Sequence, residues 1–201
     1  LCSPRSTCTE TRRVDMNYMK KYIIKKLPYI KDNKKTFIKN ANLAHKRFVF
    51  NYGVPFNKMS STWFYRYYNI STLTVGCKMY HRLFMDLQKI MRQIANTNEP
   101  LWYQSWLNFH DQNEVLDWHN HSDCLFHGYI SIDPKNTETE FKNFKIKNET
   151  GKIYIGPAGY LHRVNVLKPF TGKRITIAFD VISKLKRKNQ VDINTGFMPL
   201  P

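Results

Sequence analysis

The sequence predicts an α+β chain that is mainly β, with helices first and a jelly-roll core after them. Two observations carry this prediction. Residues 72–97 show apolar side chains at helical spacing, and after Pro100 the apolar period falls to two. The second half then holds six short segments separated by turn residues within about eighty residues, which is typical of a β-sandwich or a jelly roll.

The first fifteen residues differ in composition from the rest of the chain. Residues 1–15 contain arginine but no lysine, whereas the chain after Met16 is rich in Lys, Asn, Ile, Tyr and Phe. We therefore expect residues 1–15 to be a non-native or disordered leader. Residues 16–100 are predicted to form a helical and mixed support region, and residues 101–201 the β core.

One amphipathic helix is clear within the support region. Apolar side chains recur at helical spacing over residues 72–97, and Asn96, Asn98 and Pro100 end the pattern. We expect its apolar stripe to pack against the core. Residues 16–60 hold short apolar pieces broken by proline and glycine, and this mixed pattern gives no firm assignment.

The β core is predicted from alternating segments with turn signals between them. Asp133-Pro134 and Gly156-Pro157 are two such signals. The predicted strands are 101–109, 125–133, 139–146, 152–157, 162–168 and 174–182.

Composition and charge narrow the class of protein. Hydrophobic residues make up 42% of the chain and aromatic residues 14%, which is enough for a packed core. No apolar run approaches the ~18 residues of a transmembrane helix, and the four cysteines fit neither a zinc ribbon nor a disulfide framework. We expect a cytoplasmic protein with reduced thiols. The net charge of +17 permits a nucleic-acid partner, although lysines spread along the chain also suit a solvated surface.

The segment WHNHSDCLFHG, residues 118–128, concentrates metal-ligand chemistry. His121-Ser-Asp123 places an imidazole and a carboxylate two residues apart, which supplies two of the three ligands of a facial triad. His162 is the only histidine after this segment, and it opens a predicted strand. We expect it to be the third ligand, and we expect His127 to be a buried or supporting histidine.

A carboxylate clamp is predicted on the last strand. Arg174 and Thr176 lie two residues apart and therefore share one face of a strand. A guanidinium binds a carboxylate through two hydrogen bonds, and a hydroxyl adds another. The clamp follows His162 along the chain, so a dicarboxylic co-substrate could reach both the metal and the clamp.

This ordered set of residues resembles the HxD…H…R motif of Fe(II)/2-oxoglutarate-dependent oxygenases. The segment GKIYIGPAGYLHRVNVLKPFTGKRITIAFDV resembles the prolyl-4-hydroxylase-like and phage-encoded members in particular, and the resemblance spans about residues 101–182. It implies a double-stranded β-helix that uses O2, with ascorbate in support, to hydroxylate a protein prolyl residue, here in the cytoplasm of a phage-infected bacterium. It also implies Fe(II) bound by His121, Asp123 and His162, and 2-oxoglutarate bound by Arg174 and Thr176, with Tyr129, Ser131 and Asn108 as weaker candidates.

Three alternatives stay open at this stage. His119 and His121 together with His162 would give a three-histidine site, as in cupins that do not use 2-oxoglutarate. A nucleic-acid-modifying oxygenase would suit the positive charge. A nucleic-acid-binding jelly roll with an inactive site would bind DNA or RNA in a salt-sensitive way and would be indifferent to iron.

Overall fold

Helices precede the core strands along the chain, apart from one edge strand that comes before them. The computed structural model describes residues 22–52, 68–74, 76–114, 116–121, 124–183 and 196–201, so the predicted leader at 1–15 lies outside the described residues. The helices are α1 (Pro28–Asp32), α2 (Lys34–Tyr52), α3 (Ile70–Leu73) and α4 (Lys78–Ala95). The strands are β1 (Ile23–Lys26), β2 (Leu101–His110), β3 (Phe126–Asp133), β4 (Thr137–Phe141), β5 (Lys145–Lys147), β6 (Lys152–Pro157), β7 (His162–Val166), β8 (Arg174–Ile182) and β9 (Met198–Leu200).

The strands form two antiparallel sheets that face each other. The larger sheet has the order β1-β6-β3-β8-β2-β9, and the smaller has the order β5-β4-β7. Their inner faces meet through ring contacts, such as that of Phe141 on β4 with Tyr154 on β6, whose centroids are 4.7 Å apart. Two packed sheets with such crossovers make a jelly roll. The predicted fold class is confirmed.

Strand β8 is buried on both faces because it lies in the middle of the larger sheet. Ile175 pairs with Phe109, and the Phe109 ring stacks on His45 of α2 at 4.7 Å, so this face carries the helices. Successive side chains of a strand point to opposite faces. Arg174 and Thr176 therefore point to the other face, which is the interior between the two sheets. The alternation gives the larger sheet an apolar helix side and a polar inner side.

Helix α4 confirms the amphipathic helix, although it starts later than predicted. Leu83, Leu87 and Met91 are among its buried residues, and Asn96 follows it in the left-handed region at φ 45°. Asn69 caps a separate short helix, α3, by accepting a hydrogen bond from the backbone N–H of Ser71. The backbone leaves helical geometry at Thr74 (φ −114°), where α3 ends, and α4 begins at Lys78, so the predicted helix at 72–97 divides.

Five of the six predicted core strands match the structure closely, and one divides in two. The segment predicted as a single strand at 139–146 is β4 and β5, joined by a turn. The backbone N–H of Phe141 donates to the carbonyl of Phe144 at 2.8 Å and so reverses the chain. The exposed Lys142 and Asn143 lie in this turn. Strands β1 and β9, which edge the larger sheet, were not predicted because each is short and weakly patterned.

None of the helices in the described ranges is both long enough and apolar enough to cross a membrane.

Candidate metal centre

Three histidines converge where strand β7 begins. His119 and His162 form an isolated antiparallel bridge, with N–H to carbonyl distances of 3.0 and 2.9 Å in the two directions. His121 follows two residues after His119. One ring nitrogen from each of the three histidines lies within 4.8 Å of the other two, which is a spacing that one metal ion can bridge.

Each of these histidines uses one ring nitrogen to fix its ring. Nδ1 of His119 lies 2.7 Å from the carbonyl oxygen of Asp117, and Nδ1 of His162 lies 2.9 Å from that of Tyr160. Nδ1 of His121 lies 2.8 Å from Oδ1 of Asp180. An Nδ1–H that donates to an oxygen leaves Nε2 as a free electron-pair donor, which is the usual support for a metal-bound histidine. The residues therefore fit a metal ion.

The electrostatics of the three rings also suit metal binding. Burial lowers the pKa of His119, and it lowers the pKa of His162 to about 3. Burial also lowers the pKa of His121, but the charge of Asp180 and the hydrogen bond to it outweigh burial and raise that pKa. Two rings are thus neutral near pH 7. Asp180 places a negative charge where it would offset the charge of a cation.

The structure brings together His121 and His162 as the sequence predicts. Asp123, the predicted carboxylate ligand, lies outside the described residues. His119, which the sequence offers as an alternative ligand, joins the two predicted histidines. The extended strand β3 begins only at Phe126, so the backbone bridge between His119 and His162 aligns the cluster.

A fourth histidine packs behind the cluster. The buried His127 ring stacks on His121 with centroids 4.5 Å apart and planes 11° apart, and it lies 5.0 Å from the His162 ring. Burial and the neighbouring histidines hold the pKa of His127 well below its ordinary value. A neutral ring wedged against the rings of His121 and His162 limits their rotation.

Arg174 lies deep on the same inner face of the larger sheet. Arg174 is 4% exposed, and one terminal nitrogen of its guanidinium group lies 3.3 Å from Nδ1 of His110. Arg174 forms no ion pair with any carboxylate of the described residues, and its Nε has no hydrogen-bond partner among them. Burial lowers its pKa to about 10, so the guanidinium stays charged near pH 7.

The other predicted clamp residues surround Arg174. Thr176 pairs with Asn108 on one side and with Ser131 on the other, and Nδ2 of Asn108 donates to the Thr176 hydroxyl at 3.3 Å. The Ser131 hydroxyl has no hydrogen-bond partner in the described part of the chain. Tyr129 lies on the same face, and burial raises its pKa. All five predicted clamp residues are therefore brought to one buried polar surface.

Two supporting residues were missed by the sequence prediction. Asp180 shares strand parity with Arg174 and Thr176, and it is a charged residue within an apolar strand, so its position could have indicated an inward role. His110 pairs with Arg174 in the β2–β8 register. Its place at the end of β2 carries no sequence signal, because the partner is 64 residues away.

No protein-family model and no curated protein matches the chain. Among solved structures, the non-heme alpha ketoglutarate dependent carbocyclase SnoK from nogalamycin biosynthesis matches 80% of this chain and 79% of its own, with 7% identity and a TM-score of 0.54. The non-heme alpha ketoglutarate dependent epimerase SnoN from the same biosynthesis matches 81% and 76%, with 9% identity and a TM-score of 0.52.

An oxidoreductase of the 2OG-Fe(II) oxygenase family from Burkholderia pseudomallei matches 48% of this chain and 52% of its own, at 10% identity. Its TM-score of 0.40 is too low to carry an argument. The likeness to SnoK and SnoN shows the fold. At such identities it does not carry their activities over to this chain.

Proposed function

We propose that this protein is an Fe(II)- and 2-oxoglutarate-dependent oxygenase that hydroxylates a C–H bond of its substrate. The observation that carries the proposal is the buried Arg174, which has no carboxylate partner among the described residues and lies on the same inner face as the histidine cluster. A buried charge without a counter-ion is costly. A carboxylate-bearing co-substrate would supply the missing counter-ion.

The metal ligands proposed are His121, His162 and Asp123. Both histidines present a free Nε2 toward one point, and a carboxylate would complete the two-histidine, one-carboxylate triad of non-heme iron oxygenases. Bound Fe(II), with O2 and 2-oxoglutarate, supplies the oxidising chemistry, in which 2-oxoglutarate is converted to succinate and CO2.

The protein's own residues bind and orient the co-substrate in this proposal. Arg174 pairs with its distal carboxylate, and the Thr176 hydroxyl, fixed by Asn108, donates a further hydrogen bond. Asp180 holds the ring orientation of His121. The buried walls around Arg174 exclude water, which strengthens each of these charged contacts. The names of SnoK and SnoN, both described as alpha ketoglutarate dependent, support this choice of co-substrate for the fold.

The test is conversion of 2-oxoglutarate to succinate with Fe(II), O2 and ascorbate, in wild type and two variants. Arg174→Gln removes the charge, and because a charged hydrogen bond is worth ~1.5–3 kcal/mol, the 2-oxoglutarate concentration for half-maximal turnover should rise about 10- to 150-fold. Lys173→Gln is the matched control, since Lys173 is exposed and pairs with Glu114 at 2.7 Å. Equal behaviour of the two variants would remove Arg174 from the site.

A prolyl residue of a protein remains the substrate that the sequence resemblance implies. Adding a proline-rich peptide to the same assay tests it, because substrate binding raises turnover of 2-oxoglutarate in a coupled reaction. If the peptide leaves the rate of 2-oxoglutarate turnover unchanged, the prolyl substrate is rejected and the oxygenase proposal stands.

A three-histidine metal enzyme that does not use 2-oxoglutarate is the second candidate. The convergence of His119 with His121 and His162 favours it. It predicts metal binding without any turnover of 2-oxoglutarate and no effect of Arg174→Gln on metal-dependent activity. The assay above therefore separates the two candidates.

A further inference from the structure

A column of aromatic rings runs from the surface to the histidine cluster. Tyr22, which is 39% exposed, stacks on Phe144 with centroids 4.2 Å apart and planes 18° apart. Phe144 stacks on Phe141 at 4.4 Å and 13°, and the Phe141 ring lies 5.5 Å from that of His162. Phe144 has Tyr22 on one face and Phe141 on the other, so the column presents the outer face of Tyr22 and the edges of its other rings to a ligand, and it leads inward to a proposed metal ligand.

A pocket of about 720 Å³ is lined by this column and by the turn that precedes His162. The turn contributes Gly159, Tyr160 and Leu161 to the wall. The same turn is tied to the cluster, because the Tyr160 carbonyl fixes His162 and the backbone N–H of Gly159 donates to the carbonyl of His121 at 3.3 Å. A ligand in the pocket would therefore lie against the residues that position two of the three histidines.

The charge of the pocket is positive. Its lining includes Lys142 and Asn143 but no acidic residue. The Lys142 ammonium lies 4.4 Å from the centroid of the Trp118 ring and forms no ion pair in the described ranges. Arg163 also lies against Trp118, at 4.9 Å, although Glu140 neutralises it. The uncompensated Lys142 favours an anionic ligand.

Exposed lysines and paired glutamates surround the column. β1, which begins directly after Tyr22, carries Lys25, and β5, which begins directly after Phe144, carries Lys147 opposite Glu138 of β4. Both lysines are exposed and form no ion pair with a described carboxylate, and strand alternation directs them to the face of each sheet that lies away from the column. The whole chain carries +17, so an extended polyanion is attracted more strongly than a small ligand with one charge.

We propose that this aromatic pocket binds a base of single-stranded nucleic acid, with Lys142 next to its phosphate. Stacked aromatic rings combined with lysines are the chemistry by which single strands are bound. Pockets for small ligands usually have volumes of roughly 300–1,000 Å³, and this pocket lies within that range. The inference rests on the proposed function, because it names the class of substrate on which the proposed oxygenase site would act.

The binding test uses metal-free full-length protein and a labelled single-stranded oligonucleotide, followed by fluorescence anisotropy at two salt concentrations. Stacking of a base is worth ~1–3 kcal/mol, so Tyr22→Leu, which removes the column ring with an open face, should weaken binding about 5- to 150-fold. Lys142→Gln should weaken binding and reduce its salt dependence. Two controls match them: Phe50→Leu removes an exposed ring on α2, and Lys89→Gln removes an exposed charge on α4.

Salt-sensitive binding that only the two pocket variants weaken would support the proposal. Binding that all four variants leave unchanged, or weaken equally, would overturn it, as would preference for a proline-rich peptide. A nucleoside monophosphate has the same base and phosphate; if it binds as tightly as the strand, the ligand is a free nucleotide and the strand is rejected. The binding test is done without metal, so its result does not depend on the turnover assay. Binding without 2-oxoglutarate turnover would reject only the oxygenase, and turnover without binding would reject only this inference.

Discussion

The Asp180 carboxylate lies 2.8 Å from Nδ1 of His121, across a gap of 59 residues in sequence. Strand β8 carries Asp180 to the inner face of the larger sheet, in register with His127 of β3. His121 precedes that strand in a loop. The contact therefore links the loop that carries the predicted ligands to a central strand of the larger sheet, and it fixes the orientation of a ring that the loop alone would leave free.

Asp180→Asn should weaken metal binding about 10- to 100-fold, the usual effect of removing a group that orients a metal-bound histidine. The physical reason is that an amide can still accept a hydrogen bond but carries no charge to offset the cation. Anaerobic calorimetric titration with Fe(II) measures the affinity. Asp111→Asn is the control, because among the described residues Asp111 forms an ion pair only with the exposed Lys173, and its carboxylate otherwise accepts from the backbone N–H of Asn113. Equal affinity in wild type and Asp180→Asn would show that Asp180 does not support a metal-bound His121.

Replacing the two candidate third ligands separately decides the composition of the metal site. If Asp123 completes the triad, Asp123→Ala should abolish iron-dependent succinate formation while the thermal unfolding midpoint stays near that of wild type. His119→Ala should then retain measurable turnover, because its ring would not bind the metal. The reverse pattern, with His119→Ala inactive and Asp123→Ala active, would establish the three-histidine site instead.

The larger part of the fold could be predicted from the sequence because its signals are local. The helical period of α4 and the two-residue period of the core strands arise from burial of one face, and each is visible within about ten residues. Strand parity also put Arg174 and Thr176 on one face of β8, as the strand has them. The single strand predicted over 139–146 was wrong, because the turn at Lys142 depends on pairing with a neighbour and not on local apolar spacing.

Long-range partners in the site could not be predicted in the same way. His119 meets His162 through a backbone bridge, which depends on sheet register and not on side-chain type. The contact of His110 with Arg174 likewise depends on how β2 pairs with β8. The ordered residue types, His121 and His162 followed by Arg174, led to the proposed chemistry, while the supporting contacts required the structure.

Gly128→Ala should destabilise the protein because the added methyl group has no room. A Cβ at Gly128 would lie 2.2 Å from the backbone oxygen of Tyr154 and 2.4 Å from the Phe179 ring. Backbone cannot move aside without breaking the β3–β6 pairing, so we expect a loss of ~1–3 kcal/mol or more in the free energy of unfolding. Urea denaturation followed by circular dichroism measures it. Gly76→Ala, where a Cβ would meet no atom within 4 Å, is the matched control.

If Gly128→Ala is as stable as Gly76→Ala, the close approach of β3 to β6 is wrong. The prediction therefore also tests the packing that holds His127, next in the chain, against the histidine cluster.

The smaller sheet should owe part of its stability above pH 4.5 to the carboxylate of Glu140. Hydrogen bonds from Asn165 at 2.8 Å and from Arg163 at 2.7 Å, with Lys145 nearby, lower the pKa of Glu140 to about 2 from the ordinary value of 4.5. A carboxyl group whose pKa is lower in the folded state stabilises the fold fully above the unfolded pKa, and the stabilisation is lost as the pH falls through the folded pKa.

Comparing urea midpoints of wild type and Glu140→Gln from pH 7 to pH 2 measures this. The difference should stay constant down to about pH 5 and shrink toward pH 2, and it should be smaller in 1 M salt because the pairs are partly exposed. Glu99→Gln is the control, since Glu99 is exposed and forms no ion pair with the described residues. A wild-type to Glu140→Gln difference that is independent of pH would mean that Glu140 acts through packing and not through its charge.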